Sequence, residues 1–151
     1  LKVFLMLLAL VHHADAVGPD VDPQRPLSTL GLEQADRLAA RAKAEKFSPA
    51  LIWHSGKLRA RQTAEAFLRA CNPFAEFRMV RGLRPDDPPE IIRDALQGET
   101  RDLLAVGHMP HIAALLQTVT PGADPFPPHG LVLLESADGT SWKEVWRAAS
   151  G

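Results

Sequence analysis

The apolar run from Lys2 to Val11 shows no polar–apolar alternation and ends abruptly on His12-His13, and it constrains the fold more than any other stretch. A strand of this kind is buried on both faces. Burial on both faces is the mark of a largely parallel sheet flanked by helices. The rest of the chain supplies matching units. Ser28 or Thr29 can cap a helix with Leu32, Ala35, Leu38, Ala39 and Ala42 on its apolar face, stopping near Phe47 before Pro49. Ala50 to Trp53 reads as a short strand, and His54-Ser55-Gly56 turns it into a helix from about Leu58 to Ala70 with Ala60, Ala64, Phe67 and Leu68 inward.

The alternation continues with a strand over Phe77 to Val80, a helix opened by Pro88 or Pro89 and running to Leu96, and a buried strand from Asp102 to Val106. Gly107-His108-Met109-Pro110 then leads into a helix from His111 to about Val119. Four prolines between Pro121 and Pro128 mark a loop, after which Leu131 to Leu134 and Ser141 to Val145 form a terminal hairpin around Asp138-Gly139. The expected architecture is α/β, a three-layer α/β/α sandwich with a mainly parallel central sheet. The 151 residues make one domain, 1–151, around one core.

Charge narrows the possible partners. With 17 basic and 18 acidic side chains the net charge is −1, so no global field favours nucleic acid or an anionic membrane. Lys2, the run Val3 to Val11 and Ala14-Asp15-Ala16 imitate a secretory signal, but the basic region is a single Lys and two histidines precede the supposed cut. The run is also far short of the roughly 20 apolar residues that span a bilayer. The lone Cys71 forms no internal disulfide, which makes the cytoplasm the expected compartment.

Three polar clusters fall just past strand ends: His12-His13, Ser55 to Arg59, and Gly107-His108. In a parallel α/β sheet such positions share one rim, where ligands bind. Two histidines and an arginine gathered there suit phosphoryl transfer, which needs positioning and positive charge around the phosphoryl oxygens, and imidazole can itself be the nucleophile.

Val11-His12-His13-Ala14-Asp15-Ala16 resembles the Arg-His-Gly signature that opens the histidine phosphatase superfamily, the phosphoglycerate mutase-like proteins, and its short bacterial phosphohistidine phosphatase branch fits best. Arg25 to Gly31 is similar to that branch's Arg-Pro-Leu-Thr-x-x-Gly entry to the first helix. Ser55 to Thr63 resembles its Ser-Pro-x-x-Arg-Ala-x-x-Thr segment, and Val106 to Pro110 its second-histidine motif. The resemblance implies a phosphoglycerate mutase-like fold and a metal-free, cofactor-free, two-step reaction. His13 would take the phosphoryl group before water removes it, and His108, when protonated, would stabilise its charge. Arg59, with Arg25 from the loop, would bind the phosphate, and the planar guanidinium fork would make lysine an incomplete substitute.

The chain departs from that signature at His12 and Ala14, which stand for its arginine and glycine. His12 is then a substituted phosphate anchor. A free histidine has a pKa of about 6.5 and cannot fork onto two oxygens. Losing a charged hydrogen bond costs about 1.5–3 kcal/mol, roughly tenfold to a hundredfold in rate. The expectation is a weakened phosphatase or an acid-shifted optimum, with two alternatives: a degenerate module that binds a phosphorylated partner without turnover, or a phosphatase for small phosphate esters.

No general acid has a clear match; Asp86 and Asp87 are candidates. Phosphoimidazole can leave as neutral imidazole with its own proton, whereas an alkoxide needs an acid, so the missing acid favours a protein phosphohistidine substrate. A phosphohistidine carrier domain is the expected partner, and a monomer the expected state. His12 and His13, as strand neighbours, should point to opposite faces and share no metal, and no Cys or His cluster has zinc spacing. His54, His111 and His129 read as surface or turn residues, with His111 worth checking because it lies near His108. Lys57 and Arg61 read as a solvated basic face. Cys71, Met79, Met109 and the tryptophans Trp53, Trp142 and Trp146 read as packing, and Cys71 lacks an arginine six positions on, where Phe77 stands. Ser55 and Ser136 lack a nucleophile elbow.

Overall fold

The computed structural model describes residues 5–150. The expected first strand therefore begins outside the described residues at 2–4, and its visible part is β1 (Met6–His12). It is followed by α1 (Thr29–Ala44), β2 (Leu51–His54), α2 (Leu58–Cys71), β3 (Glu76–Met79), α3 (Glu90–Leu96), β4 (Leu103–Gly107), α4 (His111–Val119), β5 (Leu131–Ser136) and β6 (Lys143–Ala148). The sheet order is β3-β2-β4-β1-β5-β6. The first four strands are mutually parallel, and β5 runs antiparallel to both β1 and β6.

Strand β1 shows why its sequence carries no alternation. Ala9 and Val11 face one core with α1 and α2, while Leu8 and Leu10 face the other with α3 and α4. All four are fully buried, and each leucine contributes about 1.5–3 kcal/mol by leaving water. The result is the expected three-layer sandwich.

Several details differ from the sequence reading. Leu32 is exposed, and Gly31 and Gln34 take its place on the buried face of α1. The cause is the close approach of the loop after β1: a Cβ on Gly31 would strike the carbonyl oxygen of Asp15. Helix α1 stops at Ala44 because Lys46 turns into the left-handed region (φ 63°), and Phe47 reaches the core from beyond the helix. In α2, Thr63 and Ala66 are buried and Leu68 only partly. Met79 is not core but exposed at the end of β3. The terminal hairpin is no appendage, since β5 pairs along the whole of β1 with Val11 opposite Leu131.

Ser28 caps α1 as expected, its hydroxyl accepting from the Gly31 amide (3.0 Å) and donating to the Asp15 carboxylate (2.6 Å). The entry to α1 and the loop after β1 thus form one hydrogen-bonded unit that only a glycine at 31 accommodates. Gly31→Ala should lower stability by about 1–3 kcal/mol, the usual cost of overpacking, read as a shift of the urea midpoint with an unchanged slope.

Candidate active site

Strand register brings the three polar clusters to one level. His12 lies opposite Gly107, and His54 opposite Val106, so His13, Ser55 and His108 each stand one residue past their strand. The His13 amide donates to the Gly107 carbonyl (3.1 Å), which ties the first cluster to the third. The His13 and His108 ring centroids are 5.0 Å apart.

The nucleophile candidate has a fixed tautomer. Among the described residues the partner of His13 Nδ1 is the Ala14 carbonyl at 2.7 Å; a carbonyl cannot donate, so Nδ1 carries the proton and Nε2 keeps its lone pair. Ala14 is held in turn. Its amide donates to the Thr63 hydroxyl (3.0 Å), which donates to the Arg59 carbonyl one turn earlier in α2 (2.8 Å). Gln62 of the same helix accepts the Leu27 amide (2.7 Å), and Gln34 of α1 accepts the Asp15 amide (2.9 Å). The polar residues of both helices therefore splint the loop that follows the nucleophile.

Positive charge surrounds this ring. Arg59 and Arg25 both lie close enough to His13 to depress its pKa, although burial is the larger cause; together they bring it to about 4 despite the opposing bond to Ala14. Arg59 is held below the ordinary arginine value by burial and by Arg25, and its Nε is buried with no protein partner. Arg25 has a left-handed backbone (φ 49°) and donates from Nε to the Val17 carbonyl (3.0 Å). His108 falls to about 2, through burial first and then the charges of His13, Arg59, Lys57 and His12. Its Nε2 meets the Ser55 hydroxyl at 2.6 Å, and its Nδ1 is buried without a partner. Lys57, read as a solvated residue, is exposed yet near enough to act on His108.

His12 and His13 do not point apart. The strand ends at His12, so the alternation rule fails for His13, and the rings meet edge to face at 4.6 Å. The sequence reading also missed His129. Its ring stacks on His12 (4.6 Å, 10° between planes), its amide donates to His12 Nδ1 (2.8 Å), and its Nδ1 donates to the His13 carbonyl (2.7 Å). The signal for it was available: an antiparallel strand beside β1 must begin where β1 ends, so the residue before Gly130 falls on the same rim. The amide bond makes His12 Nδ1 an acceptor and leaves the ring proton on Nε2. Burial first, then His13 and His129, lower the His12 pKa to about 3, which favours the neutral ring with its Nε2–H as a donor. Among the described residues, His12, His13 and His129 also form a group whose ring nitrogens lie within 4.8 Å of one another, as metal ligands would.

The remaining candidates lie further out. A cavity of about 510 Å³ opens beside Ser55, lined by Met79, Arg81, Arg84, Asp87 and Ile91. Asp87 accepts the Arg84 amide there (2.9 Å), and Asp86 is exposed. His111 is buried with both ring nitrogens unpartnered, and His54 is buried with Nδ1 accepting the Gly56 amide. Cys71 is packed, its thiol pushed up to about 11 by burial.

His13, His108, Arg59 and Arg25 are thus gathered at one rim of the sheet, a set of nitrogen donors that suits an oxyanion. Residues 13–85 match the histidine phosphatase superfamily (branch 1), beginning at His13. That match covers just under half of the chain, and over its whole length the chain is similar in fold to solved histidine phosphatases. It is similar to the protein histidine phosphatase SixA complexed with tungstate, with TM-score 0.86 and 22% identity over 96% of this chain and 97% of that one. A structure assigned to phosphohistidine phosphatase SixA of Agrobacterium tumefaciens superposes with TM-score 0.78 at 26% identity over 97% and 99%. Phosphoglycerate mutase from Plasmodium falciparum shares the fold, with TM-score 0.73 and 16% identity over 95% and 90%. No curated protein sequence matches the chain.

The depressed His108 pKa has a measurable consequence. An oxyanion placed between His13, Arg59 and His108 reverses the sign of the local field, so the His108 pKa must rise on binding. Titration with vanadate at pH 7 in buffers of different ionisation enthalpy should show proton uptake, a fraction of a proton per site, that His108→Asn abolishes. Zero uptake by the unaltered protein would contradict this arrangement.

Proposed function

We propose that this chain is a phosphohistidine phosphatase acting through a covalent phospho-His13 intermediate, without metal or cofactor, as a cytoplasmic monomer of one domain. The observation that carries this reading is the Nδ1–H bond from His13 to the Ala14 carbonyl, which leaves a lone pair on Nε2 of a ring that lies 5.0 Å from the His108 ring and feels the charges of Arg59 and Arg25.

In the first step His13 Nε2 forms a bond to phosphorus while the substrate's P–N bond breaks, and the substrate imidazole leaves neutral with a proton on its nitrogen. In the second, water attacks phosphorus, the bond to His13 breaks, and inorganic phosphate departs. Arg59, Arg25 and the protonated His108 balance charge on the phosphoryl oxygens, while His12 donates one uncharged hydrogen bond from Nε2. The nearby carboxylates are otherwise engaged, Asp15 by Ser28 and Asp87 by the Arg84 amide, which favours a substrate whose leaving group supplies its own proton. SixA of the structural comparison is a protein histidine phosphatase, which supports a phosphohistidine carrier domain as the substrate.

His12 in place of an arginine predicts reduced activity. His12→Arg should raise kcat/KM on a phosphohistidine protein by about tenfold, His13→Ala should abolish turnover, and Arg59→Lys should lower it at least tenfold. The unaltered chain should favour the phosphohistidine protein over a sugar phosphate. Tight binding of the phosphoprotein with no turnover by any of these proteins would instead assign a degenerate recognition module, and preference for the sugar phosphate an ester phosphatase.

A further inference from the structure

The stacked His12–His129 pair adds a feature that phosphate chemistry does not require. We propose that His13 and His129 bind a zinc-type divalent cation at the mouth of the site, with His12 beside them.

Three observations on the geometry support this. One nitrogen from each of the three rings lies within 4.8 Å of one from each of the others. Zinc–imidazole bonds of 2.0–2.1 Å place tetrahedral ligands about 3.4 Å apart, so closure requires ring movements of about an ångström, and His129 is only half buried. Second, His13 and His129 each donate their Nδ1–H to a backbone carbonyl, Ala14 at 2.7 Å and His13 at 2.7 Å. A metal-ligating histidine characteristically donates its other ring N–H in this way, which fixes the tautomer and makes the free nitrogen more basic. Both Nε2 lone pairs are thereby left for a ligand.

Third, the donors are neutral nitrogens with no carboxylate among them, a set that selects zinc, nickel or copper over magnesium or calcium. His12 plays a different part. Its Nδ1 is taken by the His129 amide, so its Nε2–H is a donor rather than a ligand, and it suits a water or anion completing the coordination sphere. Arg25 and Arg59 act on His13 with charges that repel a cation, and such a metal-bound anion offsets that repulsion.

The site does not depend on the chain being a phosphatase, so its test is a binding measurement. Calorimetric titration of the full chain with zinc sulfate alone, in a phosphate-free buffer, should show one saturable site, and magnesium sulfate none. His129→Ala and His13→Ala should each weaken zinc at least tenfold, with circular dichroism confirming the fold, while Cys71→Ser and His54→Ala leave the affinity unchanged. Absence of saturable zinc binding, or affinity unaltered in His129→Ala, would overturn the proposal. So would a loss of the site in Cys71→Ser or His54→Ala, which would place the ion elsewhere.

Discussion

The level at which three parallel strands end is the constraint on which the site depends. Because β1, β2 and β4 share a register, the first residues beyond them fall side by side, and a backbone bond from His13 to Gly107 fixes that alignment. The antiparallel β5 completes the rim from the opposite direction and delivers His129. Chemistry is therefore gathered from residues far apart in sequence without any long loop. The helices contribute through their polar residues, since Thr63, Gln62 and Gln34 spend their hydrogen bonds on the loop after β1 rather than on solvent.

Burial and charge act together at this rim. His12, His13 and His108 are each taken out of water beside other cationic groups, and both effects favour the neutral ring. In the proposed reaction the neutral ring of His13 is the nucleophile, and His108 would gain its proton only when an anion arrives, coupling binding to the charge that stabilises it. His12 is neutral for the same reason, and the His129 amide decides which of its nitrogens donates. Where the resemblance would place the permanent charge of an arginine, this pair offers an oriented dipole.

Much of the fold was legible because β1 is buried on both faces and its neighbours alternate strand with helix. The four motifs pointed to residues that the structure assembles, and the first helix entry at Ser28 and the α4 boundaries were readable from local signals. What was not legible has two physical origins. Leu32 and Met79 were assigned inward by hydrophobicity, but backbone proximity at Gly31 and a strand end at the sheet margin decide those positions. His129 and the mutual approach of His12 and His13 are tertiary facts: one needs the pairing of β5 with β1, the other the residue at which β1 stops. Periodicity alone contains neither.

The account's central claim is that His13 Nε2 is the atom that attacks phosphorus. Acid-free quenching of the chain during turnover of a phosphohistidine protein, followed by phosphorus–nitrogen correlation spectroscopy with labelled histidine and by peptide mapping, locates the bond directly. The account predicts one phosphoryl group, on Nε2 of His13. A phosphoryl group on Nδ1, on His108 or His129, or steady turnover with no phosphorylated histidine at any quench time, would contradict it.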